Sequence, residues 1–154
     1  LTNLGVFTFQ LGDTENAVRH LKDAFRIALE TNGTADGAQA IASLAQVHLR
    51  SGDPVLAEKQ ARHALELLEG REDLLDEVGS TQLVLGRALL AQERLEEAEE
   101  AFRQGEASLA QVSSASHHAA AWTAQGDLAL HRGDDRTAGA LYRRAAEALQ
   151  EIKF

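Results

Sequence analysis

Between Thr14 and Thr31, apolar side chains fall at Ala17, Leu21, Ala24 and Ala28, with charged and amide residues in most positions between them. A spacing of three to four residues marks an amphipathic helix with one buried face. The pattern returns down the chain at a fixed interval. Ala17, Ala57, Ala98 and Ala138 occupy one column, at spacings of 40, 41 and 40. Three more columns keep the same intervals: Gly5, Ala45, Gly86 and Gly126; Leu21, Ala61, Phe102 and Tyr142; and Gly12, Gly52, Glu93 and Gly133. A constant period of roughly 20–50 residues denotes stacked supersecondary units.

Each unit reads as two antiparallel helices. The pattern predicts helices over about 1–11, 14–31, 36–50, 54–69, 73–91, 95–112, 116–132 and 135–152. Gly12-Asp13, Gly52-Asp53-Pro54 and Gly133-Asp134-Asp135 each place a glycine where one helix stops and an aspartate where the next is capped. Pro54 then opens its helix at a position that tolerates the missing N–H. The third unit has Gln92-Glu93-Arg94 instead, so its corner is expected to be less sharply specified. The repeats run over about 1–34, 35–72, 73–114 and 115–154. None can bury its apolar face alone, so the expectation is a single domain spanning 1–154.

Composition agrees with an all-α chain. The 154 residues are 44% hydrophobic, much of it alanine, with a single proline. There is no methionine, and Leu1 aligns with Ile41, Gln82 and Trp122 inside helices. The chain is therefore expected to be a fragment of a longer protein, with its first helix shortened. A net charge of −9 sets most of the surface against a phosphate backbone, so no direct nucleic-acid binding is expected. No apolar run has the length of a membrane span. Without cysteine there is no disulfide framework, which is compatible with a cytoplasmic protein.

The columns resemble the tetratricopeptide repeat, whose first helix carries a large residue and a Leu-Gly pair and whose second carries a small residue, a large one and alanine. The fourth unit matches with Trp122, Gly126, Ala138, Tyr142 and Ala145, and the third with Leu85-Gly86, Ala98, Phe102 and Gly105. The first matches with Leu4-Gly5, Ala17, Leu21 and Ala24. The second matches with Leu44-Ala45, Ala57 and Ala64, but has only Ala61 in the large column. The resemblance implies a right-handed α-α superhelix, a solenoid of four helix-turn-helix repeats. The small column is expected where paired helices cross closely, with large residues filling the wider space beside the crossing. The period exceeds the family's usual length of about 34. Long units of this kind are similar to those of bacterial peptide-sensing transcriptional regulators and regulatory ATPases. The stretch Leu141–Leu149 resembles the C-terminal end of helix-turn-helix regulators from actinomycete-type bacteria.

In such repeats the first helices line the concave face. The candidate partner-binding residues are Asn3 and Gln10 from the first unit, and Gln39, Ser43, Gln46 and Arg50 from the second. Arg87 comes from the third, and Asp127 and His131 from the fourth. Amides serve both donors and acceptors of a peptide backbone, and arginine holds carboxylates in bidentate pairs. His131 stands four residues beyond Asp127, the spacing of a helical pair. Thr2, Val6, Ser43, Ser80 and Val84 occupy the positions of the family's carboxylate clamp, and none is basic or asparagine.

Other chemistry is sparse. His117 and His118 are adjacent, whereas helical metal pairs favour spacings of three or four. Glu93, Glu96, Glu97, Glu99 and Glu100 read as a solvated face or a dock for a basic partner. Gly79-Ser80-Thr81 and Gly86-Arg87 lack the lysine and spacing of a phosphate loop. No nucleophile–base pair stands out, and no catalytic residue, metal or cofactor is expected. The expected function is a protein- or peptide-binding module, the sensory or interaction part of a bacterial transcriptional or signalling regulator. The alternative is a structural scaffold or oligomerisation module, with copies meeting through the shortened N-terminal end.

Overall fold

The computed structural model describes residues 14–150, and every regular element among them is helical. There are seven α-helices: α1 (Thr14–Glu30), α2 (Thr34–Arg50), α3 (Pro54–Leu67), α4 (Leu75–Ala91), α5 (Leu95–Leu109), α6 (Ala115–His131) and α7 (Asp135–Gln150). A short 3₁₀ turn, Glu72–Leu74, precedes α4. The expected helix over 1–11 lies outside the described residues. The chain forms two compact units, residues 1–74 and 75–154.

In the first unit α2 packs against both α1 and α3. Leu21, Ile41, Leu44, Val47 and Ala64 form its core, flanked by Val18, Phe25 and Leu67. Burying each large side chain here contributes about 1.5–3 kcal/mol. The α2–α3 corner follows its sequence. Gly52 takes φ +87°, a left-handed conformation that costs glycine little. The amide of Asp53 reaches back to the carbonyl of His48 at 2.8 Å, and its side chain accepts from the amide of Leu56 at 3.1 Å.

In the second unit α4 pairs with α5, and α6 with α7; α6 also packs against α5 and α4. The α6–α7 corner repeats the glycine–aspartate solution. Gly133 has φ +80°, and Asp134 caps the amide of Thr137 at 3.1 Å. The corner between α4 and α5 has the same backbone path without those residues. Glu93 takes φ +61°, and the amide of Arg94 reaches the carbonyl of Leu89 at 3.0 Å. What the Glu93 corner lacks is the cap, since Arg94 makes no side-chain cap hydrogen bond.

The crossings give the small columns their cause. A Cβ on Gly86 would stand 2.3 Å from the Phe102 ring, and one on Gly126 would stand 2.6 Å from the Tyr142 ring. The large side chain therefore fills the notch over the glycine itself, not the space beside the crossing as the sequence suggested. In the α2–α3 hairpin the register pair is Ala45 and Ala61, both fully buried. Where the large residue is missing, the small one has grown.

A second close approach lies nearer the open end of α4–α5. A Cβ on Gly79 would meet Leu109 at 2.5 Å, and one on Gly105 would meet the carbonyl oxygen of Gly79 at 3.1 Å. The corresponding pairs are Ala38 with Ala64 and Ala119 with Ala145.

Candidate functional site

Helix α2 exposes one polar stripe. Gln39, Gln46 and Arg50 are exposed and Ser43 is half-buried. Their spacing of four, three and four keeps all four on one side of the helix. Ala40, Ile41, Leu44, Ala45 and Val47 turn away into the core. On the side of α2 turned away from the stripe, His48 Nδ1 and Gln60 Oε1 stand 2.7 Å apart, tying α2 to α3. The structure thus places these four candidates together. Asn3 and Gln10 lie outside the described residues.

In the second unit the candidates form a network. Arg87 on α4 donates through Nη1 to Asp127 Oδ2 on α6 at 2.7 Å. Tyr142 on α7 donates its hydroxyl to the other carboxylate oxygen, Asp127 Oδ1, at 2.5 Å. One carboxylate therefore joins three helices. The hydrogen bond to Asp127, aided by burial and the carboxylate's charge, pushes the Tyr142 hydroxyl above its ordinary range, against the opposing effect of Arg87. The residues facing this network belong to a framework as much as to a binding face.

His131 does not join Asp127. Its Nε2 lies 2.6 Å from Glu93 Oε2, at the neighbouring corner, where the glutamate is largely in water and the histidine about one-third exposed. Asp127 is already held by Arg87 and Tyr142. Leu83 and Val84, which sit beside Arg87 in the first-helix register, are buried, whereas Leu130 is exposed. Sequence reasoning assigned Tyr142 only a filling role; the signal for more was its hydroxyl, which Phe102 lacks in the same column.

The opposite side of this unit carries a cleft. A space of about 360 Å³ lies between α5 and α7 over α6, with Phe102, Leu128 and Leu141 among its walls. Its charged groups are engaged. Arg132 donates to Glu99 at 3.2 Å, Gln125 hydrogen-bonds Glu106, and Asp134 caps α7. Glutamates of the acidic run are likewise paired, Glu97 with Arg94 and Glu100 with Arg103. Among the described residues no group of three or more His, Asp or Glu could hold a metal ion, and no helix is long and apolar enough to cross a membrane.

Paired helices recurring at a fixed interval, with a small–large notch at the α4–α5 and α6–α7 crossings, define a helical-repeat protein, and comparison with known proteins gives its family. Two family models of the tetratricopeptide repeat match, one over residues 1–70 and the other over residues 80–106, together more than half of the chain. The TPR domain of Arabidopsis FLU superposes with a TM-score of 0.67 at 24% identity, covering 77% of this chain and 99% of that domain. BtubC from P. vanneervenii gives a TM-score of 0.78 at 18% identity over 99% of this chain, which spans 64% of BtubC. No curated protein matches. The chain belongs to the tetratricopeptide-repeat family, whose members generally mediate protein–protein interaction.

Proposed function

We propose that this chain is a protein- or peptide-binding module that serves as the sensory or interaction part of a bacterial transcriptional or signalling regulator. The observation that carries the reading is the stripe Gln39–Ser43–Gln46–Arg50. Its long amides and its arginine stay at the surface of a helix whose other side is closely packed. An extended peptide supplies backbone donors and acceptors that the amides of Gln39 and Gln46 match. The 40- to 41-residue period and the Leu141–Leu149 stretch support the regulatory setting, and a cytoplasmic location goes with it. The net charge of −9 directs the module towards protein rather than nucleic acid.

The test is selection of peptides from a displayed random library, followed by titration against the wild-type chain and a Gln39→Ala/Gln46→Ala/Arg50→Ala variant. The expected result is saturable binding weakened tenfold or more in the variant. Binding unchanged by the three substitutions would overturn the assignment of the face.

A second reading, assembly of copies, is favoured by one observation. Leu149 is 46% exposed, whereas Leu109, its counterpart one repeat earlier, is fully buried. A light-scattering mass equal to one chain at high concentration would set that reading aside.

A further inference from the structure

The corners of this chain share one closure. After the left-handed residues Gly52, Glu93 and Gly133, the next amide returns to a carbonyl five residues back: Asp53 to His48, Arg94 to Leu89 and Asp134 to Ala129. The α1–α2 corner closes likewise with a different pair. Asn32 takes φ +57°, and the amide of Gly33 reaches the carbonyl of Ala28 at 2.7 Å. The amide of Asn32 meets the carbonyl of Leu29 at 3.4 Å, and that of Thr34 meets the carbonyl of Asn32 at 3.1 Å. Asparagine suits this place, because after glycine it best tolerates the left-handed end of a helix.

The backbone gives no such reason for the glycine. Gly33 has φ −84° and ψ 73°, close to the φ −95° and ψ 73° of Arg94 at the equivalent position. A Cβ on Gly33 would stand 3.5 Å from the carbonyl oxygen of Ala28 and from Asp36 Oδ2, both ordinary contacts. What the glycine does supply is an unshielded amide nitrogen directly after an exposed asparagine. Asn32–Gly33 is the single Asn–Gly pair in the sequence.

That pair carries its own chemistry. The nitrogen of Gly33 can attack the side-chain carbonyl carbon of Asn32, with no side chain to bar the approach. The Gly33 N–Asn32 Cγ bond forms and the Asn32 Cγ–Nδ2 bond breaks. Nδ2 leaves as ammonia, taking the proton given up by the Gly33 amide. Water then opens the cyclic imide. Cleavage at Cγ gives aspartate; cleavage at the main-chain carbonyl gives isoaspartate, whose main chain runs through the side-chain carbon. No oxidant or reductant takes part.

The closed corner opposes the first step. The attacking nitrogen must lose its proton, and that proton is held against the carbonyl of Ala28. Attack also needs rotation of the backbone at Asn32, which the hydrogen bonds on either side of it fix. Local opening, well short of global unfolding, releases both restraints.

We infer that Asn32 is a modification site, converted to aspartate and isoaspartate when the α1–α2 corner opens. Isoaspartate adds an atom to the main chain before Gly33, so the Gly33 amide loses its register with Ala28 and the corner does not close again. A reversible opening at the start of α2 thereby becomes a permanent one. The inference stands apart from the binding face proposed above and holds whether or not that face takes a peptide.

The test follows the full chain at mildly alkaline pH by peptide mapping, with fragmentation that separates aspartate from isoaspartate. One sample is folded in buffer and the other unfolded in concentrated urea. Both products are expected at position 32, forming about tenfold or more slowly in the folded chain. Gly33→Ala is expected to keep the helical spectrum and to react about tenfold more slowly even in urea, since its methyl group shields the nitrogen. The isoaspartate fraction, isolated by ion exchange and refolded, is expected to melt below the unreacted chain. An unreacted Asn32 in urea, aspartate without isoaspartate, or equal rates in the folded and unfolded chains would each overturn the assignment. So would wild-type reactivity of Gly33→Ala in urea, or an isoaspartate fraction that melts with the unreacted chain.

Discussion

The α2–α3 and α4–α5 hairpins solve one packing problem in two ways. The first pairs Ala45 with Ala61; the second pairs Gly86 with Phe102, and all four sit at the same register. In the first, two modest side chains share the crossing. In the second, one helix gives up its Cβ and the other supplies a ring that would lie 2.3 Å from it. The difference teaches that the crossing stays closed with different residues in its two columns, since Ala45, Ala61 and Phe102 are all fully buried. Close-packed interiors impose that rule, since a gap forfeits contacts and an overlap forces a shift. The α6–α7 hairpin adds a variation, because its ring carries a hydroxyl that reaches Asp127.

The largest break in the comparison is removal of the ring. Phe102→Ala leaves glycine opposite alanine at a fully buried site, and is predicted to cost about 3–5 kcal/mol by denaturant unfolding. Tyr142→Phe keeps the ring and removes only the hydroxyl. The predicted cost is about 1–2 kcal/mol, in line with a part-exposed hydrogen bond to a charged group. If both substitutions cost the same, the hydroxyl's bond to Asp127 contributes as much to the α6–α7 crossing as a whole ring does to the α4–α5 crossing.

The corners extend the comparison to the backbone. Gly52 and Gly133 take positive φ freely, whereas Glu93 does so with a side chain, at about 1–2 kcal/mol. Its exposed contact with His131 returns at most about 1 kcal/mol. Glu93→Gly is therefore predicted to stabilise the chain by about 1 kcal/mol, seen as a rise in melting temperature. A fall would mean that the carboxylate contributes more than its exposure allows.

The smallest effect concerns Glu77. Burial, reinforced by Asp76 and opposed by His117, holds its carboxyl above the ordinary value of 4.5. The fold then binds more protons than the unfolded chain between 4.5 and the raised value, so this group's contribution falls as pH rises through that window. Glu77→Gln is predicted to remove that slope and to gain about 0.5 kcal/mol at neutral pH. Chemical unfolding of both proteins between pH 4 and 8 measures it.

Much of this architecture was readable from residues alone, for a physical reason. Close crossings tolerate only small side chains, so Ala45, Gly86 and Gly126 stood out at a fixed interval. The glycine–aspartate corners were equally plain, because a left-handed residue and a cap have strong chemical preferences. The Glu93 corner was not. Nothing in a glutamate announces positive φ, and neighbouring structure holds it there. The candidate stripe on α2 was legible because Gln39, Ser43, Gln46 and Arg50 share one helix. The Arg87–Asp127–Tyr142 network was legible only in part. Its members lie on three helices, and pairing across helices depends on side-chain reach that periodicity does not encode. The expectation of one domain spanning all four repeats becomes a proposal that simultaneous unfolding of residues 1–74 and 75–154 would support.

The account turns on reciprocal filling of the notch, and a double-mutant cycle at Gly86 and Phe102 addresses it most directly. Gly86→Ala, Phe102→Ala and the double variant would be unfolded side by side. Because Ala45 with Ala61 shows that two alanines suit this crossing, the double variant is predicted to lose less than the sum of the single losses. The expected shortfall lies within about 0.5–3 kcal/mol, the range for residues in contact. Losses that add to within about 0.3 kcal/mol would contradict it, since independent sites behave that way.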